Sequence, residues 1–223
     1  MLSETTPDAK KEISFNETRS AAIRIWHWVT ALTLSASILL VIFGSTMFRT
    51  GNNINMVQEE LKGKGLTVTI DQARSVAHEY SDKLWMAHKW VGYGLCFLLV
   101  CRMIIEITAR QKDRLVKKMK GALHFKAETS PEGKERFHYL SVKSGYLVFF
   151  AIFFMMAVTG LGLAFEDAPI IKPIHEPIKE IHGFLQYAIY AFVVVHLIGV
   201  ISADLGKHQG IVSGMINGKM NIK

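Results

Sequence analysis

The sequence predicts an all-α membrane protein, a four-transmembrane-helix up-down bundle with both termini cytoplasmic. Three observations predict it. Apolar residues fall in four blocks of 20 residues or more, at 23–48, 85–108, 139–165 and 181–201. Each block can cross a hydrocarbon core of about 30 Å at about 1.5 Å per helical residue. Lysine and arginine concentrate between the second and third blocks, and the connections suit neighbours that alternate in direction.

Residues 1–22 read as a polar cytoplasmic tail, residues 23–203 as one four-helix domain and residues 204–223 as a second cytoplasmic tail. The first block follows this polar stretch, runs too long for a signal peptide and lacks a small-residue cleavage site, so it is expected to remain as a helix. Trp26 and Trp28 at its start are expected to anchor in the headgroup layer, as amphipathic aromatic rings do.

The outer loop, 49–84, opens with the turn-forming run Thr50-Gly51-Asn52-Asn53. Thr69-Ile70-Asp71-Gln72 then offers a capping box, from which a helix can run into the second span. The basic cytoplasmic loop, 109–137, contains Pro131 and Gly133 and reads as exposed linker. Before the fourth span stand Pro173 and Glu176-Pro177, with Pro177 suited to a first helical position.

Arg102, Arg110, Lys112, Arg114, Lys117, Lys118 and Lys120 lead the cluster that sets topology by the positive-inside rule. Only Lys172 and Lys179 occupy the short connection after block three, although the 49–84 loop carries five basic residues. The net charge of +7 therefore reads as a topological signal, not a nucleic-acid surface, and the expected surroundings are membrane lipid. Cys96 and Cys101 form neither a C-x-x-C nor a C-x-x-C-H pattern, which excludes covalent haem attachment.

An imidazole inside a membrane helix must face the bundle interior or a cavity, and serves either as a ligand or as an interhelical hydrogen-bonding group. His182 and His196 lie 14 residues apart on the fourth span. That is about 3.9 turns, so they share a face within roughly 40° and stand roughly 21 Å apart. This spacing suits two haems stacked across the bilayer, each taking one imidazole from this helix and one from another. Depth supplies the partners: His27 lies level with His196 near the cytoplasmic face, and His88 level with His182 near the outer face. His138, at the start of the third span, competes with His27 for the inner position. A bis-imidazole iron favours electron transfer over oxygen binding. Gly92, Gly44, Gly160 and Gly162 would admit either a porphyrin or a neighbouring helix. Arg24, Lys89, Arg102 and Lys143 lie at depths that suit either haem propionates or lipid headgroups.

The runs Arg24-Ile25-Trp26-His27-Trp28 and His88-Lys89-Trp90-Val91-Gly92-Tyr93, with Arg102, resemble the cytochrome b subunit of membrane-bound nickel–iron hydrogenases. So do His182-Gly183, Phe192-Val193-Val194-Val195-His196 and the Gly210–Gly218 segment. These subunits fall within the bacterial di-haem cytochrome b561-like superfamily. The resemblance implies two haems b, a hydrogenase or other iron–sulfur partner on the outer face, quinone as electron acceptor and a bacterial inner-membrane location. Two features depart from the family pattern: Ile201-Ser202-Ala203-Asp204 keeps only the acidic end of an Arg-Glu-Asp run, and the 49–84 loop is long and polar. A stand-alone cytochrome b561, acting as a homodimer on a small diffusible donor, is the second functional expectation. A non-redox anchor using histidines for packing is the third.

Overall fold

The computed structural model describes residues 20–109, 114–124, 129–206 and 210–218, which form helices and no strand among the described residues. In order they are α1 (Ala21–Ser45), α2 (Thr50–Gly63), α3 (Ile70–Thr108), α4 (Leu115–His124), α5 (Ser130–Ala164), α6 (His175–Leu205) and α7 (Ile211–Ile216). A short 3-10 turn, Lys172–Ile174, leads into α6. Four of the helices are long and apolar enough to cross a membrane. They are α1, α3, α5 and α6, and they run alternately up and down.

α3 has 39 residues, about 58 Å at the helical rise, so roughly half of it exceeds the hydrocarbon thickness. Its start is fixed by the expected capping box. The Thr69 hydroxyl accepts from the Gln72 N–H, and the Gln72 side chain accepts from the Thr69 N–H. From there α3 runs without a break into the second span. Ala73, Ala77 and Ser81 recur every fourth residue and are all buried, which lets a second helix approach this stretch closely. α2 packs here, where the sequence indicated only a turn-rich loop. α2 ends in a Schellman motif: Leu66 N–H donates to Leu61 C=O, and Gly65, at φ +79°, donates to Lys62 C=O.

Three further segments are more helical than their composition indicated. α5 begins at Ser130, not near residue 139, because Thr129 and Glu132 form a second capping box. α4 lies within the basic connection and packs on α5. α6 likewise starts at His175, two residues before Pro177. Removing one cap tests these starts. Thr129→Ala should weaken the first turn of α5 by about 1 kcal/mol, seen as faster amide exchange at Glu132 and Gly133 with the spans unaffected.

The spans associate as two pairs, α1 with α3 and α5 with α6, joined mainly through α3 against α5. Leu95, Leu99 and Phe153 form the centre of that junction, with Leu34, Phe149, Phe150 and Ala157 around it. Leu32, Leu39, Phe97 and Val195 are among the many large apolar side chains left on the outside, as lipid contact requires. Gly44 brings α1 close to α3, since a Cβ there would meet Leu84 Cδ2 at 2.8 Å.

The start of α1 and the end of α6 lie at one end of the bundle, here the terminal end; the α1–α3 and α5–α6 connections form the hairpin end. α7 is fastened to the start of α1 by the Trp28 indole N–H, which donates to Met215 C=O at 3.0 Å. Asp204 accepts from the N–H groups of Gly210 and Val212 and so caps α7.

Candidate functional site

α6 carries two histidines on one stripe, one toward each end, and the one at the terminal end meets a histidine from another helix. At the terminal end the rings of His27 and His196 lie 6.2 Å apart, centre to centre, with their planes at 62°. At the hairpin end His88 of α3 lies within electrostatic reach of His182 of α6. His27, and not His138, is the imidazole set opposite His196; His138 is exposed on α5.

Each hairpin-end imidazole is oriented through Nδ1. Ser37 Oγ lies 3.3 Å from His88 Nδ1, and Thr159 Oγ1 lies 2.9 Å from His182 Nδ1. The Thr159 hydroxyl also sits 2.8 Å from Met155 C=O and 3.1 Å from Met156 C=O, where its single proton is directed. At His182 it therefore accepts, so Nδ1 carries the ring proton and Nε2 carries the lone pair. That is the tautomer a metal ligand needs, held by an outer hydrogen bond. Gly160 follows Thr159, and a Cβ there would lie 3.1 Å from His182 Cε1. Gly160→Ala should displace the His182 ring slightly, and Gly160→Leu should dislodge it. Visible absorbance of any chromophore held at this end should fall accordingly, while absorbance from the other end stays.

Aromatic rings flank both pairs. Phe192 stacks on His196 at 5.8 Å with a 9° interplanar angle, and Phe149 stacks on Phe192 at 4.2 Å. Trp85 meets His88 edge-on at 5.8 Å. The Trp26 indole turns inward, contrary to the headgroup expectation, and donates to Leu98 C=O at 2.7 Å.

The remaining sequence candidates are distributed differently. Arg102 sits against the rings of Trp26 and Phe150 and pairs with Glu106 at 3.0 Å, so its guanidinium is engaged within the protein. Arg24 lies against Gly218 at the terminal end. Lys89 is exposed, and a side chain at Gly92 would meet nothing within 4 Å. Lys143 is buried beside the Tyr139 ring. His175 bridges Glu166 at 3.0 Å and Glu176 at 3.3 Å, away from the paired histidines' chemistry. Ser37 and Thr159 were not singled out by the sequence, although a hydroxyl in an apolar span is a visible signal.

Three observations bear on what the pairs can hold. Two metal–imidazole bonds of about 2 Å in line, plus the ring radii, put ring centres about 6 Å apart, and His27 and His196 have that separation. Among the described residues no three His, Cys, Asp or Glu side chains come together as a metal site. An ion held by one pair must then draw its other ligands from a bound group such as a porphyrin. Finally, α6 packs on α5 and α7 but has no extensive backbone contact with α1 or α3, though it faces both through its histidines. Helices in direct contact lie about 8–10 Å apart, so this stand-off leaves room for a flat macrocycle. Thr30, one turn from His27 on α1, is buried there with an unpartnered hydroxyl. The donor set and the space both fit haem.

No curated protein and no solved structure gives a match to this chain. Residues 18–218 of its 223 match the family model described as prokaryotic cytochrome b561. With that match over nearly the whole chain, the four-helix bundle belongs to the prokaryotic cytochrome b561 family, membrane proteins that transfer electrons through haem b.

Proposed function

We propose that the chain is a di-haem b electron-transfer subunit linking a redox partner at the hairpin end to the quinone pool. The observation that carries this reading is a histidine at each end of α6, one ring facing His27 at 6.2 Å and the other within electrostatic reach of His88. His27 and His196 would ligate one haem, and His88 and His182 the other. Haem iron supplies reversible one-electron chemistry, tuned by its axial ligands and surroundings.

The chain's own part is to hold, orient and insulate. Two imidazoles per site would leave the iron no free position, which disfavours oxygen chemistry. Thr159 fixes the tautomer and rotation of His182, and Ser37 steadies His88. Leu95, Leu99, Phe149 and Phe153 fill the bundle between the two levels with apolar groups.

The terminal end is assigned to the cytoplasm by the positive-inside rule. Electrons would enter at the His88/His182 level and leave at the His27/His196 level toward quinone. A hydrogenase-like or other iron–sulfur protein is the proposed donor. The α2–α3 hairpin supports this placement, because it extends the protein beyond the span at the entry end. Purification from native membranes tests the partner. A stable complex with an iron–sulfur or nickel–iron subunit, whose donor reduces the b haems until quinone reoxidises them, is expected. A homodimer reduced directly by a small soluble donor, with no such subunit, would contradict the partnership and favour a stand-alone cytochrome.

A further inference from the structure

A cleft of about 470 Å³ opens at the hairpin end between α1, α2 and α3. Its lining includes Gly44, Ser45, Arg49, Thr50, Ser81 and Trp85. None of the haem-ligand candidates lines it, and the sequence reading gave Arg49 no role beyond a loop charge. Two of its polar side chains are unmatched. The Arg49 guanidinium makes no ion pair or hydrogen bond among the described residues. Ser81 is only 7 % exposed, yet its hydroxyl has no partner among the described residues either. Its oxygen is open to the cleft, since Thr30 Oγ1 is the one fully enclosed side-chain polar atom without a partner among the described residues. No side chain caps the first turn of α2, so that helix's positive end adds to the field in the same place.

An unpaired guanidinium, an unmatched hydroxyl and a helix N-terminus together favour an oxyanion. Position identifies the source. Ser81 precedes His88 by seven residues, about two turns, so the two share a face of α3 roughly 10 Å apart. Trp85 lies between them, lining the cleft and meeting the His88 ring edge-on at 5.8 Å. On α1, Gly44 stands seven residues beyond Ser37, which contacts His88, so the cleft lies two turns outward on that helix as well. The carboxylate arms of a haem ligated at His88 can extend outward along this face toward Arg49. Arg102, an alternative cation, is already engaged by Glu106 at the opposite end.

We infer that this cleft is the carboxylate-binding pocket of the hairpin-end haem, with Arg49 pairing to a propionate and Ser81 donating a hydrogen bond to it. The inference rests on the ligand assignment above. A cation held beside a propionate favours the reduced haem, since reduction adds negative charge, so Arg49 would raise that haem's potential.

The test is a redox titration of the purified full-length protein, with haem content measured in parallel. Arg49→Gln should keep both haems while lowering one midpoint potential, with the reduction constant falling about tenfold, equivalent to about 59 mV for one electron. Arg49→Lys should restore most of the shift, and Ser81→Ala should give a smaller one in the same direction. The Arg49→Gln shift should persist in a His196→Ala background, where only the hairpin-end haem is retained, and vanish in a His182→Ala background. Haem retained with both potentials unmoved would overturn the inference, as would a shift confined to the terminal-end haem. Unmoved potentials together with lost bound phospholipid, counted by mass spectrometry, would overturn it in favour of a lipid phosphate in the cleft. Wild-type protein lacking haem would instead defeat the ligand assignment itself.

Discussion

His196→Ala should yield a membrane-inserted chain carrying one haem in place of the two proposed for the native chain, and His182→Ala should lose the other. Each imidazole supplies one of two axial bonds, and α6 has no extensive backbone packing against α1 or α3 to hold a half-ligated haem in place. The b-type absorbance per chain should therefore fall by about half in each single variant and vanish in the double variant. Redox titration should then resolve one component in each single variant, with different midpoints for the two. The same experiment separates the competing inner ligands. His27→Ala should behave like His196→Ala, because those rings face one another at 6.2 Å. His138→Ala should retain both haems. Full retention in His196→Ala would mean that these histidines only pack.

Thr159→Val should weaken haem retention at the hairpin end by about 10–100-fold, the usual cost of losing a hydrogen bond to a metal-bound histidine. Valine matches the shape of threonine but offers no acceptor, so the Nδ1–H of His182 would be left unpaired in an apolar span. The ring would lose its preferred rotation and part of its basicity. Haem transfer to a scavenging apoprotein would report the change as a faster phase of half amplitude. Thr159→Ser should return to near the native rate. Ser37→Ala should have a smaller effect, because Ser37 Oγ contacts His88 Nδ1 at a longer 3.3 Å. A Thr159→Val protein with native kinetics would show that the hydroxyl does not position His182.

The spans and the approach of His27 to His196 were legible because both depend on distances along the chain. Block length gave four spans, and helical rise alone placed His27 level with His196 and His88 level with His182. What could not be read depends on how each helix is rotated about its axis. Whether Thr159 or another α5 residue faces His182 is fixed by α5–α6 packing, and no count along one helix contains it. The inward turn of Trp26 has the same origin: an indole that can bond Leu98 C=O inside the bundle leaves the headgroup layer. The helices in the connections were missed for another reason. Thr129-x-x-Glu132 is a capping box as plain as Thr69-x-x-Gln72, but the nearby Pro131 and Gly133 read as linker, although proline is tolerated in a first helical turn. α2 is polar over most of its length, and it is held by packing on Ala73 and Ala77 of α3, which its own residues do not announce.

Haem stoichiometry of the purified native chain, determined from its reduced-minus-oxidised spectrum against protein concentration, tests the central claim most directly. Two low-spin b haems per chain, both insensitive to carbon monoxide because their axial positions are filled, are expected. One haem per chain, or none, would contradict the account of paired histidines at both ends of α6.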